Sequence, residues 1–329
     1  KLVKEKVPSI KLFISLDNES ESDDVINFSE IMEKYEGEYN GSPDPDKVCA
    51  IVFTSGTTGF PKGVMSSHRN FVYSAGSVHV ACPTTRMLCC LPIHHSFCFT
   101  GNITKSIVKG KTVCVNDNLA NLIQDLQLYK PDSILAVPQL VKKIMFGAMK
   151  FAAAHPELPQ EKAINSFLGG NIIDIISGGA PLEAALNEKF NSTGILVLNG
   201  YGMTECTPII SNNSVGNFRH GSVGKPIPCV DAKIVNGEIL VKGPNVMLGY
   251  YKNPEATKEA FTEDGYLHTG DLGYFDEDGY LYITGRCKNL ILLDNGENVS
   301  AEMLEEQFAN EALIQEVICY NEGSAICAE

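Results

Sequence analysis

The sequence predicts an α/β protein: a mostly parallel sheet flanked by helices, followed by a small β-barrel-like subdomain and the start of a truncated α+β C-terminal lid. Three observations lead there. From Val48 to Leu198 short, uniformly apolar runs alternate with longer amphipathic ones, the pattern of strands buried on both faces and joined by crossover helices. After about residue 215 the runs shorten and are separated by turn pairs, as in VDAKIVNGEILVKG and DEDGYLYITGR. The last stretch, LILLDNGENVSAEMLEEQFANEALIQEVICYNE, supplies a strand or hairpin, a charged helix and one more strand.

The expected strands are VCAIVFT (48–54), MLCCLP (87–92), KTVCV (111–115), SILAV (133–137), NIIDIIS (171–177) and ILVL (195–198). The helices between them are HRNFVYSAGSV, ANLIQDLQLYK, PQLVKKIMFGAMKFAAA and PLEAALNEKF. The last two open on Pro, whose fixed φ and missing N–H suit a first helical turn. Asn236-Gly237 and Asp278-Gly279 are placed to turn hairpins, because both residues of such turns tolerate positive φ. Four regions follow: 1–45, an acidic, SPDPD-containing remnant of a preceding subdomain and linker; 46–214, an α/β subdomain; 215–285, a β-rich subdomain; and 286–329, the start of a further α+β unit.

With 329 residues, 44% of them apolar, the chain can bury the cores of two or three units. Forty acidic against twenty-six basic residues give a net charge of −14, which argues against a nucleic-acid surface and confines any phosphate site to a local cleft. No run approaches the roughly eighteen apolar residues of a membrane helix, so no integral membrane segment is expected and a cytoplasmic location is the default. Eleven cysteines lie mostly in apolar runs without the two-residue gap of a metal knuckle; they read as reduced core residues.

The densest chemistry is TSGTTGFPKG (54–63), with four hydroxyls and two glycines ahead of Pro61, Lys62 and Gly63. A turn of this kind after a strand gathers backbone N–H groups and hydroxyls around phosphate. It lacks the Gly-Lys-Ser/Thr order of the Walker loop, so a mobile loop closing over the outer phosphates is the better picture. The loop also resembles the signature of the adenylate-forming, AMP-binding superfamily. NGYGMTECTP (199–208), GSVGKPIP, GPNVMLGYYKNPEAT, YLHTGDLGYFDEDGYLYITGRCKNLI (266–291) and NGENVSAEMLEE (295–306) follow in that family's order, and the whole looks most like a bacterial long-chain fatty acyl-CoA synthetase.

The resemblance implies ATP-dependent activation of a carboxylic acid, a fatty acid by preference, as an acyl-adenylate that passes to the thiol of coenzyme A with Mg²⁺ assisting. The alternatives are loading of an acyl or peptidyl carrier protein, or a weak nucleotide-binding module. It would place Thr54, Ser55, Gly56, Thr57, Thr58, Gly59 and Lys62 on the β- and γ-phosphates, Thr204 on the α-phosphate and Glu205 on Mg²⁺. Asn199, Gly200 and Gly202 would contact the nucleotide, Tyr201 would stack on the face of the base away from an adenine slot in SGGAP, and Asp271 with Arg286 would hold the ribose. In SGGAP, Gly178, Gly179 and Ala180 either let backbone approach the flat base or form an ordinary strand-to-helix turn. His95, or its neighbour His94, would stand between carboxylate and nucleotide. Beyond them Phe97, Phe99 and Ile103 could line an acyl tunnel or fill core. Lys288 matches the family's hinge. Measured against that pattern, part of the N-terminal domain and about a hundred residues after the hinge, including a lysine that assists adenylation, would lie outside this chain; Ala301 stands where the pattern has Pro.

Overall fold

The computed structural model describes residues 12–16, 25–34, 41–54, 61–78, 84–180, 182, 184–292, 298–308, 314, 317–322 and 325–329. The chain divides into two units, 1–44 and 45–329. In the first, strands β1 (Phe13–Ser15) and β2 (Val25–Asn27) pair in parallel ahead of a helix, Phe28–Lys34.

The second unit opens with an antiparallel pair, β3 (Val48–Thr54) and β4 (Lys62–Ser67), whose register sets Thr54 opposite Lys62. This corrects the expectation that VCAIVFT begins the parallel sheet and that the phosphate loop runs straight into a helix. β3 carries no buried residue, so it cannot be a strand covered on both faces. Instead KGVMSS folds back along it and buries Val64 completely. The helix His68–Ser77 starts only after β4. Ser67 caps it, its Oγ accepting from the Asn70 N–H at 3.2 Å while the Asn70 Oδ1 accepts from the Ser67 N–H at 2.7 Å.

The central sheet contains β5 (Arg86–Cys89), β6 (Thr112–Val115), β7 (Ser133–Ala136), β8 (Asp174–Ser177), β9 (Leu196–Gly202), β10 (Ile209–Asn212) and β11 (Lys225–Pro226), in the order β11-β10-β9-β8-β7-β5-β6. It is parallel from β6 to β9 and antiparallel beyond, a mixed sheet as predicted. Its two faces differ. Leu88, Cys90, Ile134, Ala136, Ile175 and Val197 point one way into a continuous core with Val141, Ile144, Met145, Ile164, Leu168 and Phe190 of the covering helices and turns. The alternate residues face the opposite side, under a helical segment that begins just after His95. That segment runs through Ser96–Cys98, a π-helical Phe99–Thr104 and Lys105–Lys109, ending on Gly110 at φ 65°. Gln160–Phe167, not predicted, adds a helix on the core side.

The β-rich region is an open four-stranded antiparallel sheet, with no closed barrel: β12 (Asp231–Val235), β13 (Glu238–Lys242), β15 (Leu267–Phe275) and β16 (Leu281–Arg286), with β14 (Gly249–Tyr250) joining β4 instead. Asn236 and Gly237 both adopt positive φ, 52° and 82°, as the hairpin requires. Val64, Cys206, Ile210, Ile239, Val241, Tyr250 and Leu281 share one core, so β4, β10 and this sheet are locked together. The chain continues through the hairpin β17 (Leu290–Leu292) and β18 (Asn298–Ser300), a helix Ala301–Gln307, and the pair β19 (Cys319–Glu322) and β20 (Ala325–Ala328). The described cysteines form no disulfide with one another; six are buried, while Cys49 is exposed and departs from the core reading.

Candidate active site

The C-terminal end of β9 turns back sharply into β10, and residue chemistry explains how. A Cβ on Gly202 would lie 1.8 Å from the Pro208 carbonyl oxygen, so only Gly permits the return, and Thr207 completes it at φ 55°. The short turn Thr204–Cys206 therefore projects beside the strand end that carries Asn199 and Tyr201.

Three polar groupings converge there. In the first, the Tyr201 hydroxyl donates to Asp271 Oδ2 at 2.7 Å. Arg286 faces the same carboxylate across the β15–β16 pair, Nε to Oδ1 3.3 Å. Burial pushes the Asp271 carboxyl above its ordinary 3.8, with the Tyr201 hydrogen bond, Arg286 and Lys288 pulling it back and Glu302 opposing them. Burial, reinforced by Asp271, raises the Tyr201 hydroxyl well above its usual range. Lys288 itself is exposed in the turn Cys287–Asn289, one residue past Cys287 from Arg286.

In the second grouping, Glu205 is 8% exposed and its Oε1 accepts from the Tyr250 hydroxyl at 2.9 Å. The Lys62 ammonium stands over the Tyr250 ring, 5.0 Å from its centroid. Burial and then Glu205 drive the Tyr250 hydroxyl upward. Thus Lys62 and Glu205, far apart in sequence, are joined through one aromatic ring. Tyr250 lies in the run GPNVMLGYYKNPEAT, which gives no hint of its partners; only the β14–β4 pairing reveals them.

In the third, Thr204 Oγ1 lies 3.2 Å from Ser96 Oγ. Ser96 is buried at the start of its helix, and His95 is that helix's N-cap residue. His95 lines the adjoining cavity; the His94 ring sits 4.6 Å from the His95 ring and outside the lining. Ser96 was missed because a serine after two histidines carries no distinctive pattern.

A cavity of about 580 Å³ opens at this point and runs along the sheet face opposite the main core. Its walls include His95, Phe97, Leu135, Ile176, Leu198 and Tyr201. Of the three candidate tunnel residues only Phe97 lines it: Phe99 packs edge-on against Phe71, ring centroids 5.2 Å apart, and Ile103 lies outside the lining. Gly178 and Gly179 line it too, yet the flat ring admitted by the missing Gly178 side chain is Phe97's, whose Cζ would be 2.9 Å from an added Cβ. Gly179 is exposed at φ 85° and Ala180 is exposed beside it. Thr54 ends β3, its Oγ1 donating to the Lys62 carbonyl at 3.4 Å, while Ser55, Gly56, Thr57, Thr58 and Gly59 lie outside the described residues. The Asn199 Oδ1 is buried with no hydrogen-bond partner among the described residues, and such an acceptor is matched by an N–H donor such as the exocyclic amine of adenine. No group of three or more His, Cys, Asp or Glu side chains gathers for a metal among the described residues. A lone, oriented Glu205 fits a cation that takes its remaining ligands from phosphate and water, as Mg²⁺ does.

The Tyr201–Asp271 pair thus stands at the carboxyl end of β9, with Tyr201 also lining the cavity. The AMP-binding enzyme family model matches residues 1–251. The long-chain-fatty-acid–CoA ligase FadD15 of Mycobacterium bovis is 32% identical over 319 residues, covering 84% of this chain and 52% of that protein. Among solved structures, o-succinylbenzoate CoA synthetase (MenE) from Bacillus subtilis in complex with the acyl-adenylate intermediate superposes with a TM-score of 0.79 at 26% identity, over 99% of this chain and 69% of that one. The same enzyme in complex with ATP and magnesium gives 0.77 at 28% identity, over 92% and 64%. This chain belongs to the AMP-binding enzyme family. It spans about half the length of the curated relatives it matches.

Proposed function

We propose that the protein activates a carboxylic acid with ATP and passes the acyl group to the thiol of coenzyme A. The observation that carries this reading is the Tyr201–Asp271–Arg286 cluster at the mouth of the cavity, because it sets an adenosine grip directly against an acyl-sized space. In the first half-reaction a carboxylate oxygen bonds to the α-phosphorus of ATP and the bond to pyrophosphate breaks; in the second a thiolate attacks the acyl carbon and AMP leaves. Both transition states gather negative charge, so donors and cations fixed beforehand do most of the work.

Asp271 accepts from the ribose hydroxyls and Tyr201 offers its face to the base. Asn199 Oδ1 accepts from the adenine amine, and Thr204, steadied by Ser96, donates toward the α-phosphate. Lys62, with Thr54 and the hydroxyls of Ser55, Thr57 and Thr58, neutralises the outer phosphates; one such cation about 4 Å away contributes up to ~4 kcal/mol at an effective dielectric near 20. Glu205 holds Mg²⁺, which supplies charge neutralisation of the phosphate oxygens. His95 stands at the boundary between cavity and nucleotide, able to donate from a neutral imidazole. Lys288 is the hinge position about which the segment after Arg286 swings between the two half-reactions.

Calorimetric titration of AMP, set beside carboxylate-dependent ATP–pyrophosphate exchange, tests the reading. AMP is expected to bind, and Asp271→Ala to weaken it by tenfold or more, about 1.4 kcal/mol. AMP affinity indifferent to both Asp271→Ala and Tyr201→Phe ends the proposal. Fatty acids lead the substrate panel because FadD15 is a long-chain-fatty-acid ligase.

A further inference from the structure

The pair that sets Arg286 against Asp271 stands at a weak point of its sheet. β15 and β16 pair from Phe275 and Leu281 to Gly273 and Ile283; the ladder then shifts by one residue and resumes with Leu272 opposite Gly285 and Asp271 opposite Arg286. Thr284 is the extra residue, so the last two pairs lie beyond a β-bulge, where the ladder is interrupted and the strand bends. Arg286 ends the strand with its side chain 57% exposed and its Nε 3.3 Å from Asp271 Oδ1. An ion pair that open to water is by itself a loose constraint.

A carboxylate from further along the chain holds this end. Glu302, in the first turn of the helix Ala301–Gln307, accepts from the Asn289 side-chain amide on Oε1 at 2.5 Å and from the Ser300 hydroxyl on Oε2 at 2.8 Å. Asn289 closes the turn Cys287–Asn289 that leads directly out of β16. The Arg286 backbone N–H draws on the same carboxylate. Burial pushes Glu302 upward, but the Asn289 amide, the backbone N–H of Glu302, the Ser300 hydroxyl and the Arg286 N–H together outweigh it and hold the group below its ordinary 4.5. Gly285 permits so close an approach: its φ is 152°, and a Cβ there would strike Ser300 Oγ and lie 2.9 Å from Glu302 Oε2. One side chain thus touches the strand end, the turn that follows it and the start of the next helix.

We infer that Glu302 is a positioning residue for the proposed ribose contact: by tying the end of β16 to the turn after it and to the following helix, it fixes Arg286 opposite Asp271 beyond the bulge. Its effect passes through Arg286. The inference rests on the adenosine reading above and adds to that site a residue that acts on it through the backbone.

Adenosine titrated by calorimetry into the whole chain tests this, in a double-mutant cycle with Arg286. Glu302→Ala is expected to weaken adenosine about fivefold, near 1 kcal/mol, and Glu302→Gln, which keeps one acceptor oxygen, to weaken it less. In an Arg286→Met background Glu302→Ala should cost less than about twofold, because the residue it positions is gone. A group that only stabilises the fold gives the same loss with or without Arg286, so an additive result overturns the inference, as does unchanged affinity in Glu302→Ala. Thermal melts establish that each variant is folded; should Glu302→Ala not fold, Glu302→Gln carries the cycle, and its loss must likewise disappear with Arg286. If the unmodified chain binds no adenosine, the ribose reading itself is refuted and this inference falls with it.

Discussion

Asp271 is where residue chemistry and the proposed ribose contact meet most directly. Its carboxyl is held above the ordinary value of 3.8 chiefly by burial, so the charged form is the costly one in the folded chain. The sign follows: below 3.8 the group is neutral in both folded and unfolded chains and costs nothing, and its contribution to stability declines as pH rises through its raised folded value. Nucleoside binding runs the other way, because only the carboxylate accepts two ribose hydroxyls. Adenosine affinity is therefore expected to fall on acidification at a pH above that of an ordinary aspartate, and Asp271→Asn to flatten the profile; titration of adenosine, which has no phosphate of its own to ionise, reads this. Tyr201→Phe leaves Asp271 with Arg286 and without its hydroxyl donor, at a cost of about 1–3 kcal/mol in urea denaturation. The sequence supplied the identities of Asp271, Tyr201, Glu205 and Thr204 through family order, whereas Tyr250, which donates to Glu205, and Ser96, which pairs with Thr204, were invisible, since hydrogen bonds across 45 and 108 residues leave no local pattern.

β8 shows how one element serves two purposes. Ile175 is fully buried in the helix-covered core, while its neighbour Ile176 lines the cavity. Ile175→Ala is expected to cost about 2–5 kcal/mol in chemical denaturation. Ile176→Ala, on the cavity side, should cost much less and instead change which acyl-sulfamoyl adenosines, non-hydrolysable mimics of the adenylate, bind. The β9–β10 return is less forgiving: Gly202→Ala forces a methyl against the Pro208 carbonyl, and a loss of about 3 kcal/mol or more is expected in the same assay. The strands of the parallel sheet were legible because apolar runs bounded by turns have few other uses. β4 was not, because KGVMSS is short and mixed, and its assignment depends on pairing with β3 and β14. The extent of the helical segment over the cavity was not legible for a related reason: SFCFTGNITKSIVK has no clean helical period, and its middle adopts the wider π-helical turn.

At the scale of the molecule, nucleotide binding should be coupled to stability, since the proposed adenosine contacts draw on β9, β15 and β16, which come from two different sheets. AMP at a hundred times its dissociation constant is expected to raise the unfolding free energy by ~2.7 kcal/mol in denaturant titrations, and the gain should vanish in Asp271→Ala. Family membership, the strands of the parallel sheet and the candidate nucleotide residues were legible in the linear chain, because motifs of the kind that bind phosphate and ribose are local runs and buried strands are short apolar ones. The joining of Lys62 to Glu205 through Tyr250 and the side of each strand that meets the cavity were decided only by tertiary structure. Those features depend on strand register and on which face each alternating side chain turns toward, and neither is fixed until the strands have paired.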